Sequence, residues 1–314
     1  MDMSPAPFLA DIAKGPEGGS ARWMITADGL RIRVGHWPAA DNTTPKGTVL
    51  MFPGRTEFIE KFGLSAADLC ARGYTTLAID WRGQGMADRM LADSRLGHVD
   101  NFRDYQHDVA AVLRYAAAEA LPKPWYLVGH SMGGSIGLRA LYQGLDVKAC
   151  AFTGPMWGIR IPPLLLPLAN FLCRYGRQFG VSNKLAPTLS VESYVRTTPF
   201  PDNSLTSDPE MFDYIRMQVE AYPGFGLGGP TINWTAEALQ EAKALDAKPS
   251  PDIPCLTFLG TEEEIVDKTV IRARMARWPN GKLVELTAGR HELLLEHKAM
   301  RDDLHNQLAM LFSA

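Results

Sequence analysis

The sequence is poor in cysteine and contains no paired cysteine motif. Its four cysteines, in a chain of 314 residues, are Cys70, Cys150, Cys173 and Cys255. None has the C-x-x-C spacing that a structural zinc site or a redox motif requires. Each stands among apolar residues, which favours buried, reduced thiols. We therefore expect no metal site and no cofactor.

An excess of charge of one sign is also missing. There are 32 lysines and arginines against 35 aspartates and glutamates, a net charge of −3. Nucleic-acid binding would require clustered basic residues on one face, so we expect no such partner. The N-terminal stretch MDMSPAPFLADIAKG has no basic start followed by a long apolar core, unlike a signal peptide. No apolar run approaches the ~20 residues that span a bilayer. These features predict a soluble, cytoplasmic protein.

Short apolar runs recur along the chain and predict the strands of a parallel sheet. Residues 21–37 read as a hairpin that turns at Asp28-Gly29. Beyond it, the runs cover residues 48–52, 74–79, 125–129, 147–153, 254–260 and 282–286. Such runs, with helical patterns between most of them, indicate an α/β fold whose mostly parallel sheet is flanked by helices. Functional residues are then expected where the strands end.

A long insertion interrupts this alternation. About 100 residues separate the run ending near Thr153 from the next run at Pro254, which is too long for a plain loop. We predict a core domain of residues 1–154 and 231–314 and an inserted helical cap of residues 155–230. The apolar stretch 159-IRIPPLLLPLANFLCRY-175 is either the cap's own small core, or a wall for an acyl chain and a transient contact with a membrane surface.

The stretch 129-GHSMGG-134 follows the run at 125–129 and opens a helical pattern. A G-x-S-x-G motif between a strand and a helix holds a nucleophilic serine on a tight turn. Gly129 and Gly133 provide the small residues that this turn requires. The motif therefore predicts Ser131 as a nucleophile at a helix N-terminus, where developing negative charge is favoured.

The sequence resembles the α/β-hydrolase superfamily of serine hydrolases, and within it the bacterial lysophospholipase and monoacylglycerol lipase branch. The resemblance rests on GHSMGG, on 80-DWRGQG-85 and on 100-DNFRDYQHD-108, and the order of elements agrees over about residues 20–312. It implies hydrolysis of carboxylic esters, of monoacyl lipids in particular. A small-ester esterase, a thioesterase or an aminopeptidase on the same fold is the alternative, and a non-catalytic binding protein is less favoured. The sequence does not predict an oligomeric state.

Acyl transfer by a serine needs two N–H donors for the oxyanion. One is expected from the residue after the nucleophile, Met132, and the other from the loop 53-PGRTEF-58, where the position indicates the Arg55 N–H. Relatives usually carry His-Gly where this chain has Pro53-Gly54. The Arg55 side chain is expected either to face solvent or to contact substrate.

The base of the proton relay should lie late in the chain, since this fold orders its triad as Ser, acid, His. His291 lies in the loop 287-TAGRHE-292, just beyond the run at 282–286. It is therefore the predicted base, and relatives have a similar loop. His297 is the alternative, although it is expected to begin the final helix.

The acid should come from 259-LGTEEEIVDK-268, which follows the run at 254–260 and precedes His291. Its four carboxylates are Glu262, Glu263, Glu264 and Asp267. Asp267 stands where an aspartate caps a helix, but it stays an alternative acid. The resemblance places the acid at Glu263, where relatives generally have aspartate, and implies a triad of Ser131, Glu263 and His291.

Overall fold

An eight-stranded sheet forms the centre of the molecule. The computed structural model describes residues 3–40 and 44–314, so the predicted core segment 1–154 includes a few residues outside the described ones. The strands are β1 (Ser20–Ile25), β2 (Arg31–Trp37), β3 (Gly47–Phe52), β4 (Tyr74–Asp80), β5 (Trp125–His130), β6 (Ala149–Thr153), β7 (Cys255–Gly260) and β8 (Gly281–Leu286). They lie in the order β1-β2-β4-β3-β5-β6-β7-β8.

The sheet is mostly parallel, as predicted. β1 and β2 form the predicted antiparallel hairpin, whose turn contains Gly29 at a φ of 87°. β2 also pairs antiparallel with β4, and every later pair is parallel. The six predicted runs correspond to β3–β8. β8 is only partly buried because it lies at the edge of the sheet.

Helices cover both faces of the sheet. They are α1 (Ala10–Ala13), α2 (Gly63–Ala71), α3 (Tyr105–Ala118), α4 (Met132–Tyr142), α5 (Leu166–Tyr175), α6 (Tyr194–Thr197), α7 (Pro209–Ala221), α8 (Ile232–Asp246), α9 (Lys268–Ala276) and α10 (Lys298–Ser313). Alternate residues of β3 point to opposite faces: Leu50 and Phe52 join one apolar cluster, with α3, α4, α8 and α9, and Val49 and Met51 join another, with α2 and α10.

The chain between β6 and β7 contains α5 to α8. Helix α8 leads the chain back toward β7. Helix α7 buries Phe212, Ile215 and Val219 in a third apolar cluster. Helix α5 contains no buried residue, and Leu164 just before it is 91% exposed. The interpretation of 159–175 as the internal core of the cap is therefore wrong for most of this stretch.

The described part of the chain contains no helix that is both long enough and apolar enough to span a bilayer.

Candidate active site

Ser131 lies on the tight turn between β5 and α4. Its φ of 48° and ψ of −116° place it in a conformation that residues with a side chain rarely adopt. Such a conformation costs about 1–3 kcal/mol and persists only where the surrounding structure enforces it. Here the Ser131 N–H donates to the Thr153 carbonyl (3.0 Å), and the Ser131 carbonyl accepts from the N–H groups of Gly134 (2.9 Å) and Met156 (2.8 Å). The end of β6 therefore holds the turn.

Glycine is required beside this turn because the backbone approaches closely. A Cβ at Gly133 would lie 2.0 Å from the Phe52 carbonyl oxygen, and one at Gly129 would lie 2.9 Å from the Gly133 oxygen. Neither distance is compatible with a side chain. The spacing of small residues in GHSMGG follows from these contacts.

His291 and Glu263 meet although 28 residues separate them. The loop after β8 carries His291 and the loop after β7 carries Glu263, and the parallel pairing of these strands brings both loops to one edge of the sheet. The distance from His291 Nδ1 to Glu263 Oε2 is 2.6 Å, and both side chains are buried. This is the geometry of a charge-assisted hydrogen bond between an imidazole and a carboxylate.

Glu263 is held by its own loop as well. Its Oε1 accepts from the N–H groups of Ile265 (2.6 Å) and Val266 (3.2 Å). Burial alone would raise the pKa of this carboxyl, but His291 and the two backbone donors outweigh burial and lower it below its ordinary value. Glu263 is therefore ionised at neutral pH. Its neighbours Glu262 and Glu264 are exposed, as expected.

The alternative acid and the alternative base have other contacts. Asp267 caps α9, where its Oδ1 accepts from the N–H groups of Thr269 (2.8 Å) and Val270 (3.4 Å). His297 stands at the start of α10, and the Nδ1 atom of its exposed ring lies 3.3 Å from Asp208 Oδ2. The structure brings Ser131, Glu263 and His291 to one edge of the sheet and gives Asp267 and His297 capping positions.

His291 lies beside the serine turn. Its ring centroid is 4.9 Å from that of His130, the residue before Ser131. A Cβ at Gly154 would lie 3.1 Å from Glu263 Oε2 and 3.2 Å from His291 Nδ1. Gly154, which follows β6 with a φ of 48°, therefore leaves the space in which the carboxylate meets the imidazole. The sequence analysis missed this glycine, although its position directly after a buried strand was a usable signal.

The loop after β3 approaches the same serine. A Cβ at Gly54 would lie 3.0 Å from Ser131 Cβ, so the lack of a side chain at this position permits the close approach. The Arg55 N–H and the Met132 N–H, the two predicted oxyanion donors, have no acceptor among the described residues. The Gly54 N–H donates to the Glu57 carboxylate instead.

A buried cluster of charges, which the sequence analysis missed, joins three loops of the site. Lys61 Nζ contacts Glu57 Oε1 at 2.6 Å and Glu292 Oε1 at 2.7 Å, and Glu292 Oε2 lies 3.4 Å from His130 Nε2. We call these four residues the Lys61 cluster. The available signal was the Glu57–Lys61 spacing of four residues next to the oxyanion loop, with Glu292 directly after the predicted base.

The members of the Lys61 cluster stabilise each other's charged forms. Burial alone would lower the pKa values of Lys61 and His130, but Glu292 and Glu57 raise both above their ordinary values. Burial would raise the pKa of Glu292, but Lys61 and His130 hold it well below its usual range. Glu57, His130 and Glu292 have the spacing of metal ligands. The Lys61 ammonium already contacts both carboxylates and supplies the positive charge that a cation would bring.

An apolar groove runs between α5 and α8 in the inserted segment. Its volume is ≈ 230 Å³. Its lining includes Ile159, Leu165, Leu168, Leu172, Leu189 and Trp234. The ring of Trp234, one lining residue, lies 5.6 Å from Arg55 Cζ. Ile159, another lining residue, forms a β-bridge with Val266, whose N–H donates to the Glu263 carboxylate. The groove therefore extends from the loops that carry Arg55 and Glu263.

Comparison with known proteins agrees with this architecture. The chain is 32% identical over 274 residues to lysophospholipase L2 of Escherichia coli, with 81% of this chain and 76% of that one covered. It is 24% identical over 245 residues to the monoacylglycerol lipase of Mycolicibacterium smegmatis, covering 76% and 77%. These relatives support the predicted class of carboxylic ester hydrolases.

Solved structures share the fold. A soluble variant of monoglyceride lipase from Saccharomyces cerevisiae superimposes with a TM-score of 0.72 at 20% identity, over 92% of this chain and 93% of that one. A carboxyl esterase from Bacillus coagulans gives a TM-score of 0.72 at 16% identity, over 95% and 99%. The family model described as serine aminopeptidase, S33, matches residues 43–298. The chain belongs to this family of hydrolases and has the predicted α/β-hydrolase fold.

Proposed function

We propose that the protein is a serine hydrolase that cleaves carboxylic esters of monoacyl lipids, lysophospholipase or monoacylglycerol lipase in type, through a triad of Ser131, Glu263 and His291. The observation that carries the proposal is the 2.6 Å contact between His291 Nδ1 and Glu263 Oε2 beside a serine on a strained turn. Of the alternatives, the Asp267 side chain caps α9, and His297 stands at the N-cap position of α10 with its ring beside Asp208.

The mechanism follows from this arrangement. His291 takes the proton of the Ser131 hydroxyl as the oxygen attacks the ester carbonyl, and Glu263 holds the ring in the required tautomer and stabilises its cationic form. The N–H groups of Arg55 and Met132 bind the oxyanion. The alcohol leaves with the proton from His291, and water activated by the same ring then cleaves the acyl-enzyme.

The apolar groove is evidence that the substrate carries a lipid acyl chain on its ester. Apolar walls stabilise an acyl chain by about 0.8 kcal/mol for each methylene removed from water. We propose that residues 155–230 form a cap over the site and that this groove is where the chain lies. Both 32% identity to a lysophospholipase and 24% identity to a monoacylglycerol lipase favour this substrate class over short esters.

A series of nitrophenyl esters with acyl chains of increasing length tests the proposal. We expect kcat/KM to rise from short to medium chains in the wild type and to fall by several orders of magnitude with Ser131→Ala. A flat or decreasing profile would favour a small-ester esterase. Retained hydrolysis in the Ser131→Ala protein would refute the nucleophile.

The cap is also proposed to touch membrane surfaces transiently. Its exposed apolar side chains are Leu164, Leu166, Leu168, Phe171, Phe179 and Leu189. We expect Phe171→Ser to weaken sedimentation with lipid vesicles. The matched control is Met310→Ser, which removes another exposed apolar side chain on α10 (72% exposed) and should leave sedimentation unchanged. Equal effects of the two changes would argue against a cap contact. The cytoplasmic location stays a prediction from the sequence.

A further inference from the structure

The side chain of Arg55 brings a positive charge to the site without a carboxylate partner. Within residues 3–40 and 44–314, its hydrogen bond is from Nη1 to the Gly228 carbonyl at 2.8 Å, and its guanidinium lies over the Trp234 ring. Two fully or nearly buried arginines are paired with carboxylates: Arg33 contacts Glu60 and Asp80, and Arg139 contacts Glu241. Arg55 differs from these two in lacking such a partner among the described residues.

The environment of Arg55 disfavours its charge but leaves it cationic. Burial lowers its pKa to about 10, and Tyr105 only partly offsets this. The side chain is half-buried. Its Nε and Nη2 groups have no acceptor in the described parts of the chain, and neither atom is fully enclosed by protein. A guanidinium that has lost much of its hydration and still has unpaired N–H donors can bind an anion.

The position of this charge relative to the reacting atoms suggests which anion. The backbone N–H of the same residue is the proposed oxyanion donor, so the ester carbonyl and the guanidinium lie within one side-chain length of each other. In a lysophospholipid, only the three carbons of glycerol separate the ester from the phosphodiester. A guanidinium binds phosphate oxygens with two parallel hydrogen bonds, whereas a neutral monoacylglycerol offers no charge to pair with it.

We propose that the Arg55 guanidinium binds the phosphodiester of a lysophospholipid and makes the enzyme prefer monoacyl glycerophospholipids to monoacylglycerols. This inference rests on the proposed function and narrows its substrate class. The acyl chain would lie in the groove beyond Trp234, and the phosphate at the Nε and Nη2 edge. The Arg55 N–H stays available to the oxyanion in any side-chain variant.

The test compares two substrates with the same acyl chain, lauroyl lysophosphatidylcholine and monolauroylglycerol, below their micellar concentrations. Arg55→Met should lower kcat/KM for the phospholipid by about 10- to 100-fold, mainly through KM, since it removes hydrogen bonds to a charged group. The loss on monolauroylglycerol should be at least several-fold smaller. Arg55→Lys keeps the charge but not the two parallel donors. Its kcat/KM for the phospholipid should lie between the values of the wild type and Arg55→Met.

Equal losses on both substrates would overturn the inference, because Arg55 would then act only by holding the loop at Gly228. If the wild type hydrolyses nitrophenyl esters but neither lipid, the lipid substrate itself is wrong, and the inference falls with it. The two failures are therefore distinguishable.

A measurement on the wild type alone covers the case in which Arg55→Met does not fold. Glycerophosphocholine should competitively inhibit hydrolysis of a nitrophenyl ester, and glycerol at the same concentration should not. Equal inhibition by inorganic phosphate would show that the site takes any free anion and would overturn its assignment to a lipid headgroup. Lack of inhibition by glycerophosphocholine would overturn it as well.

Discussion

Replacing Glu263 with glutamine removes one negative charge beside His291 while conserving the size of the side chain. The carboxylate accepts from His291 Nδ1 through Oε2 and from two backbone N–H groups through Oε1. A glutamine has one oxygen and one NH₂ group. If its oxygen keeps the backbone bonds, the NH₂ faces Nδ1 and donates to it. His291 then carries its proton on Nε2 and cannot accept the serine proton.

The expected loss of kcat is large because Glu263→Gln removes both the required tautomer of His291 and the negative charge that stabilises its cationic form. A triad with its acid changed to the amide loses about 10⁴-fold in kcat. We expect a loss of about 10³- to 10⁴-fold for Glu263→Gln, or about 4–5 kcal/mol of transition-state stabilisation. The assay is hydrolysis of a nitrophenyl ester, with kcat expressed per site that reacts with a fluorophosphonate.

Asp267→Ala is the matched control because it removes a carboxylate from the same loop. It should cost about 1 kcal/mol of unfolding free energy through the lost cap of α9 and change kcat only a few-fold. Asp267→Asn keeps a capping side chain and should restore that stability. A larger loss of kcat in Asp267→Ala than in Glu263→Gln would identify Asp267 as the acid and refute the assignment of Glu263.

The remaining predictions concern the Lys61 cluster. Lys61→Met removes the ammonium that bridges Glu57 and Glu292, and should lower the free energy of unfolding by about 3–5 kcal/mol in urea titrations. A loss below 1 kcal/mol would contradict the buried ion pairs. Because Glu292 and Glu57 raise the pKa of His130, its ionic contribution to stability is complete below the unfolded pKa of about 6.5 and is lost as pH rises through the higher folded value. Melting temperatures measured upward from about pH 6 should therefore fall more in the wild type than in Glu292→Gln, and parallel curves would exclude this linkage.

The positions of the strands along the chain and the serine turn could be predicted because they depend on local sequence. Buried parallel strands read as short apolar runs, and the serine turn is recognised by its local G-x-S-x-G spacing. The hairpin at 21–37 likewise follows from its own turn at Asp28-Gly29. Such features need no knowledge of distant parts of the chain.

Most of the Lys61 cluster could not be predicted for the opposite reason, since only the four-residue spacing of Glu57 and Lys61 is a local signal. Its bond from Lys61 to Glu292 spans 231 residues, and nothing near Glu292 in sequence indicates a lysine partner. Glu292 looks like any charged loop residue until the fold brings the oxyanion loop to it. All four carboxylates of the 259–268 loop fit the order Ser, acid, His along the chain, so this order does not choose among them. The choice of Glu263 rests on the resemblance to the family.

The composition of the apolar stretch at 159–175 does not indicate whether its side chains are buried or exposed. A run of leucines and prolines is equally compatible with a small core and with an exposed wall. The structure shows that α5 leaves its apolar side chains largely uncovered, as with Phe171 at 49% exposure. Whether such residues are buried depends on what packs against them, and that information lies elsewhere in the chain.

The most direct test of the proposed serine chemistry is the site at which a fluorophosphonate probe modifies the protein, mapped by mass spectrometry of its peptides. We expect about one label per chain, on Ser131, because the activated hydroxyl is the only strong nucleophile that the mechanism provides. His291→Ala should slow labelling by orders of magnitude. Labelling of another residue, or equal labelling rates with and without the imidazole at position 291, would contradict the account.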